Sequence, residues 1–165
     1  MLYDTSPERE FKRETAMKLK QLSVFLENSP GRLYEATYAL GAAGINLRSL
    51  SICDTLEFGV LRILVSDVPL ARRVIMEKQL PARVDDVVAV EIDDVPGSLA
   101  RVLYLFKESQ VNIEYMYALA GTGGTSEKAV MVFRFSDNDR AIEILLENKI
   151  KLLDAEDFGI VDNIR

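Results

Sequence analysis

Residues that could bind a small charged ligand lie in the turn Asn28-Ser29-Pro30-Gly31-Arg32-Leu33. Pro30 has no N–H group and a φ fixed at about −65°, which suits the entry to a helix, and Gly31 would let a ligand approach the backbone. The amides of Arg32 and Leu33 would then point outward from a helix N-terminus, where a carboxylate is favoured. Asn28 could offer a carbonyl oxygen and an amide N–H to a zwitterion.

A second copy of this turn begins 66 residues later, as Asp94-Val95-Pro96-Gly97-Ser98-Leu99. By the same reasoning, its candidate ligand-binding residues are Asp94, Pro96, Gly97, Ser98 and Leu99. Asp94 stands where the first copy has Asn28, and a carboxylate would attract an ammonium group but could not donate a hydrogen bond. The two sites are therefore expected to differ in affinity or in ligand.

The offset of 66 residues also relates two other parts of the chain, which indicates a duplication. Ile45-Asn46-Leu47 corresponds to Val111-Asn112-Ile113, and alternate apolar residues of 22–26 correspond to those of 88–92. Asn46 and Asn112 each precede a predicted strand, where a second amide could close over a ligand. The alternative role for both is that of a turn residue after a helix. The copies differ at Gln110, which occupies the position of Gly44.

The elements that must position these residues follow one order in both copies. Alternating apolar residues predict a strand before each turn, and apolar residues at i, i+3, i+4 and i+7 predict a helix after it. Further predicted strands cover residues 46–54, 58–66 and 82–85 in the first copy, and 112–120, 128–136 and 151–154 in the second. A second helix precedes the last strand of each copy. This β-α-β-β-α-β order is the pattern of ferredoxin-like domains.

The predicted fold class is therefore α+β, with two ferredoxin-like βαββαβ domains. They would pair side by side into an eight-stranded antiparallel sheet with helices on one face. Residues 17–85 form the first predicted domain and residues 86–158 the second, and residues 159–165 form a C-terminal tail. Residues 1–16 are expected to be a flexible leader, with a capping helix as the alternative. The glycine-rich segment 121–124 is expected to be a mobile hairpin.

Composition argues against several classes of function. The 165 residues contain no histidine, the commonest general base and metal ligand, so we expect no metal, no cofactor and no enzymatic activity. With 26 acidic and 20 basic side chains, the chain would repel nucleic acid. No apolar run reaches the roughly 20 residues of a membrane span. The lone Cys53 fits a reducing cytoplasm and is expected to be packed within a strand.

Asn-x-Pro-Gly-x-Leu after a strand, followed about thirteen residues later by Gly-Ile-Asn, resembles the ACT domain. The two copies look like the tandem-ACT proteins of bacteria over roughly residues 17–158, and they are similar to the regulatory ACT domains of acetolactate synthase. The resemblance implies a regulatory protein that binds a free amino acid between paired ACT domains. Each implied site combines a turn of one copy with an Asn of the other: Asn28, Gly31 and Leu33 with Asn112, and Asp94, Gly97 and Leu99 with Asn46.

Several alternatives stay open at this point. The chain could be the regulatory subunit of an amino-acid biosynthetic enzyme such as acetolactate synthase, with that catalytic enzyme as its partner. The ferredoxin-like pattern also occurs in small enzymes and in RNA-binding modules, although the chain has neither an acid–base pair at motif spacing nor an aromatic-rich Lys/Arg-Gly-Phe segment. Because an open eight-stranded sheet has edges and a free face, a homodimer is expected.

Overall fold

The computed structural model describes residues 17–54, 58–119 and 127–161. These residues form seven strands and four helices, in the order β1 (Lys18–Glu27), α1 (Arg32–Ala42), β2 (Leu47–Asp54), β3 (Phe58–Val65), α2 (Val68–Glu77), β4 (Ala82–Asp93), α3 (Ser98–Tyr104), β5 (Ile113–Leu119), β6 (Lys128–Phe135), α4 (Asn138–Glu147) and β7 (Lys151–Leu153). The predicted leader and the glycine-rich segment lie outside the described residues. The fold class is α+β, as predicted.

The number of strands differs from the prediction. Residues 82–85 and 88–92 were expected to form two strands, but they form the single strand β4, so the described residues contain seven strands rather than eight. The physical reason is that Asp86 and Val87, which separate the two predicted segments, include no glycine or proline that would end an extended chain. β4 therefore serves as the last strand of the first copy and the first strand of the second.

The chain divides into two compact units. The first unit contains Lys20–Asp86 and the described residues after Asp154, and the second contains Val87–Asp154 and the described residues before Lys20. In the first unit the hydrogen-bonded order of the strands is β2-β3-β1-β4, and in the second it is β5-β6-β4-β7.

The core of the first unit follows the predicted alternation of strand β1. Leu22 and Val24 are buried and lie opposite Ile63 and Leu61 of the antiparallel strand β3. Helix α1 buries Ala36, Ala39 and Leu40, and helix α2 buries Val68, Ala71 and Ile75. Apolar burial of this kind stabilises a fold by roughly 25 cal/mol for each Å² removed from water.

The second unit has a contiguous core that joins its sheet to both of its helices. Val88 and Val90 of β4 pack in one cluster with Val102 of α3 and Leu145 of α4. Phe135 lies at the centre of an aromatic group, with ring centroids 4.8 Å from Phe106 and 5.3 Å from Phe133. These contacts fix α3, and with it the turn that precedes this helix.

The last described residues return to the first unit. The Val161 N–H donates to the Ser66 carbonyl at 2.8 Å, and the Val68 N–H donates to the Val161 carbonyl at 2.9 Å. Nη2 of Arg48 donates to the carbonyl of Gly159 at 3.4 Å. Residues 159–161, which lie within the predicted tail, thus make specific hydrogen bonds beside the start of α2.

Cys53 was expected to be packed, and this expectation is wrong, because the residue is exposed. It lies on β2, whose hydrogen-bonded neighbour within the described residues is β3 alone, so β2 is an edge strand of its unit. Edge strands leave side chains accessible that a central strand would cover. None of the helices in the described ranges is long and apolar enough to cross a membrane.

Candidate functional site

The two predicted turns have the same backbone conformation. Gly31 has φ 92° and Gly97 has φ 88°, and each caps the N-terminus of the helix that follows. Residues with a Cβ rarely adopt this left-handed region, so the glycine is required by the backbone. A Cβ on Gly31 would meet no described atom within 4 Å, so the space beside the turn is open to a ligand.

The turns use more of their amides internally than the sequence indicated. The Arg32 N–H was expected to be free, but it donates to the Ser29 carbonyl at 3.4 Å, and the Ser98 N–H donates to the Val95 carbonyl at 3.2 Å. The reason is that each turn is closed by a hydrogen bond to the residue three positions earlier. Within the described residues, no backbone acceptor contacts the Leu33 amide, which leaves this N–H available to a carboxylate.

A cavity of about 270 Å³ lies beside the first turn and contains two of the predicted site residues, Asn28 and Leu33. It is lined by Leu26, Glu27, Asn28, Ser29, Leu33, Ile52 and Gly59. Leu26, Leu33 and Ile52 make one part of the lining apolar, while Asn28 and Ser29 of the turn and Glu27 at the end of β1 make the other part polar. Pockets for drug-sized ligands usually measure about 300–1,000 Å³, so this cavity suits a smaller molecule with one polar and one apolar end.

Arg32, another predicted site residue, does not line the cavity that contains Asn28. Its guanidinium group forms ion pairs with Glu27 at 3.1 Å and Glu35 at 3.0 Å. The hydrogen bonds to Glu27 and then Glu35 raise the pKa of Arg32 above its ordinary value. Arg32 instead lines a neighbouring cavity of about 300 Å³ together with Phe25 and Phe58.

The second turn differs from the first in its surroundings. Leu99 packs against the core of the second unit, whereas Leu33 is 39% exposed. The Ser98 hydroxyl accepts a hydrogen bond from Nη2 of Arg101 at 2.7 Å, and both residues line a cavity of about 280 Å³. The Asp94 N–H donates to the Glu127 carbonyl at 2.8 Å. The expected difference between the two turns thus extends beyond the exchange of Asn28 for Asp94.

Asn46 and Asn112 are exposed, and each is fixed by a serine that the sequence analysis did not select. The Asn46 N–H donates to the Ser66 hydroxyl at 3.0 Å, and the Asn112 N–H donates to the Ser136 hydroxyl at 2.9 Å. A Ser-Asp pair follows both β3 and β6, as Ser66-Asp67 and Ser136-Asp137, and this repetition was the signal that could have revealed the contact. The aspartates of these pairs, Asp67 and Asp137, cap helices α2 and α4.

Gln110 occupies the position of Gly44 and keeps the same left-handed backbone conformation. Gly44 has φ 74° and Gln110 has φ 61°, so both are left-handed. A side chain in this region costs roughly 1–2 kcal/mol, which the second copy tolerates. Both copies therefore reach the Asn position through a left-handed residue, although α1 continues to Ala42 whereas α3 ends at Tyr104.

A family model of the ACT domain pair matches residues 17–161. The solved structure of protein BT0572 from Bacteroides thetaiotaomicron is 41% identical, with a TM-score of 0.81, over 88% of this chain and 99% of that chain. No curated protein sequence matches the chain.

Two more distant solved structures share the fold. The regulatory subunit of aspartate kinase from Thermus thermophilus, in its ligand-free form, is 14% identical, with a TM-score of 0.56, over 79% of this chain and 92% of that chain. Aspartate kinase from Clostridium acetobutylicum is 16% identical, with a TM-score of 0.51, over 79% of this chain and 33% of that chain. The resemblance seen in the sequence is confirmed: because the family model spans most of its residues, this chain belongs to the ACT domain pair family.

Proposed function

We propose that this chain is a non-enzymatic regulatory protein that binds a free amino acid at its Pro-Gly turns, with the stronger site at Asn28. The observation that carries the proposal is the cavity that places Asn28 and Leu33 together beside the left-handed Gly31. This arrangement combines a polar end and an apolar end within a small volume. A free amino acid has the same division, because its charged α-carbon groups adjoin a side chain.

The polar end can hold both charged groups of an amino acid. The Leu33 N–H lies at the N-terminus of α1, an eleven-residue helix, so the α-carboxylate would lie where the helix dipole favours negative charge. The Asn28 carbonyl oxygen can accept a hydrogen bond from the α-ammonium group. Leu26 and Ile52 line the same cavity and would contact an aliphatic or aromatic side chain.

One turn supplies too little free energy for tight binding. Micromolar affinity needs about −8 kcal/mol, a helix terminus contributes about 0.3–1 kcal/mol, and a hydrogen bond to a charged group about 1.5–3 kcal/mol. We therefore propose that an Asn from the other copy completes each site. Asn112 would contact a ligand at the turn of Asn28, and Asn46 would contact a ligand at the turn of Asp94. Side-by-side pairing of the ferredoxin-like domains and a homodimer belong to the same proposal.

A catalytic partner is a second candidate. Two of the solved structures are, by their names, a regulatory subunit of aspartate kinase and an aspartate kinase, and both share the fold of this chain. A regulatory subunit would co-purify with a larger biosynthetic enzyme and change its response to an amino acid. Repeated purification under mild conditions that yields this chain alone would count against the partner, but not against amino-acid binding.

The experiment that tests the proposal is a calorimetric titration of the full chain with each of the twenty amino acids, together with thermal-shift measurements. We expect saturable binding of one amino acid or of a chemically related few. The absence of heat and of a thermal shift with all twenty would overturn the proposal.

A further inference from the structure

We propose that the second unit carries a separate site for a compact anion with two negative charges, such as a phosphate group or a dicarboxylate. The site is the cavity of about 280 Å³ at the junction of β4, α3, β6 and the turn before β7. Four cationic side chains and two carboxylates line it: Arg101, Lys128, Lys149, Lys151, Glu91 and Asp93. This site shares no residue with the cavity of Asn28 and can be tested separately from it, although Ser98 of the second Pro-Gly turn is among its lining residues.

The charges that line this cavity do not balance. Lys128 is paired with Asp93 at 2.6 Å, and Lys151 is paired with Glu91 at 3.2 Å. Arg101 and Lys149 form no ion pair with any described residue, and the hydrogen bond of Arg101 goes to the neutral Ser98 hydroxyl. The lining side chains therefore carry a net charge of +2 in a protein whose formal net charge is −6. A dianion would neutralise this excess.

The equivalent cavity of the first unit shows that the fold does not require these cations. Strand register makes the two places correspond, because Glu27 lies opposite Phe58 as Asp93 lies opposite Lys128. The first-unit cavity, of about 300 Å³, presents Phe58, Gln79 and Pro81 at the positions of the three lysines, and Glu35 stands in the sequence where the second copy has Arg101. The first-unit cavity thus holds two cations, Arg32 and Lys78, and the set of four belongs to the second copy alone.

The backbone at one of these positions supports the same conclusion. Lys149 and Gln79 both have φ 58°, a left-handed conformation that is costly for a residue with a side chain. The two copies accept the same cost but place different side chains there. Lysine ammonium groups act as point charges toward phosphate, while the guanidinium of Arg101 can donate two parallel hydrogen bonds to a phosphate or a carboxylate.

The test is a titration of the full chain with inorganic phosphate, and separately with malonate, at ionic strength held constant with sodium chloride. Binding would be followed by ³¹P line broadening for phosphate and by calorimetry for both anions. Two variants, Lys149→Gln and Arg101→Gln, each remove one of the cations that form no ion pair with a described residue. Lys149→Gln installs the residue that the first copy carries at the same φ, so it should fold even if Arg101→Gln does not. Lys78→Gln, in the equivalent cavity, is the matched control.

We expect saturable binding of phosphate, malonate or both, which also identifies the chemical source of the anion. Each cavity variant should weaken this binding about tenfold, as expected for the loss of one charge-assisted hydrogen bond, while Lys78→Gln leaves it unchanged. The proposal is overturned if neither anion binds saturably, or if Lys149→Gln binds phosphate and malonate as tightly as the unmodified protein does. An Asn28→Ala variant should keep its anion binding, so failure of the amino-acid site is distinguishable from failure of this one.

Discussion

Asn46 and Ser66 are joined by two hydrogen bonds, both of which use the backbone of Asn46. The Asn46 N–H donates to the Ser66 hydroxyl at 3.0 Å, and the Ser66 N–H donates to the Asn46 carbonyl at 2.9 Å. Asn112 and Ser136 repeat both contacts, each at 2.9 Å. The two Asn residues therefore stabilise the start of β2 and β5 through their backbones. Their exposed side chains form no hydrogen bond with a described residue.

The contact between Asn112 and Ser136 lets the structural role of the serine hydroxyl be measured separately from the binding role of the Asn side chain. Ser136→Ala should lower the free energy of unfolding by about 1 kcal/mol, because it removes the acceptor of the Asn112 N–H. Asn112→Ala should change the stability by less than about 0.5 kcal/mol, because it keeps the backbone and removes an exposed side chain. Urea unfolding measures both. Equal losses from the two substitutions would contradict the assignment of the Asn side chain to ligand binding.

The left-handed glycine of the first turn gives a second expectation. Gly31→Ala should destabilise the chain by roughly 1–2 kcal/mol, because φ is 92° and no rearrangement of neighbours can relieve the strain. Gly41→Ala is the matched control: it lies within α1, its added Cβ would meet no described atom, and it should stabilise by about 0.5 kcal/mol. Opposite signs in thermal or urea unfolding are expected. A loss of the same size at both positions would show that φ is not the cause.

The ion pair of Asp93 and Lys128 predicts a pH dependence. The hydrogen bond from Lys128 lowers the pKa of Asp93. The stabilisation is therefore fully present above the ordinary titration range of an aspartate and is lost as the pH falls through the lowered pKa. Lys128→Gln should move the Asp93 titration back toward its ordinary range. A carboxyl-carbon NMR titration that shows no change of the Asp93 pKa in this variant would rule out the pair.

Cys53 offers a direct test of the edge strand β2. It is the only cysteine of the chain and is exposed, so one thiol per chain should react with a disulfide reagent in the native state. The reaction should be about as fast as in urea. If a second copy covers β2 in the proposed homodimer, dilution that separates the copies should accelerate the reaction. A thiol that reacts only after unfolding would place Cys53 in the interior.

The duplication and the order of elements could be predicted because both follow from local pattern. The Pro-Gly turns, the apolar alternation and the helix spacing recur at fixed offsets, and β2, β3, β5, β6 and β7 begin and end within one residue of the expected positions. The joined strand β4 was not predicted, because dividing the chain into copies places an artificial boundary between Asp85 and Asp86.

The candidate site could be predicted only in part. Asn28 and Leu33 are close in sequence, so their shared cavity follows from the local turn. The ion pair of Arg32 with Glu35 is an i,i+3 pair within α1, which spacing could have predicted. The lysines around Arg101, in contrast, come together through strand register. No spacing rule within one segment indicates such contacts, because the partners lie on separate elements.

We propose that the turn of Asn28 holds the amino acid. The most direct measurement is a calorimetric titration of the unmodified chain and of the Asn28→Ala variant with the amino acid that the initial titration identifies. We expect the affinity to fall by about tenfold or more, since one hydrogen bond to a charged group is lost, while the unfolding temperature without ligand stays the same. Unchanged affinity in Asn28→Ala, with the same stoichiometry, would show that the amino acid binds elsewhere.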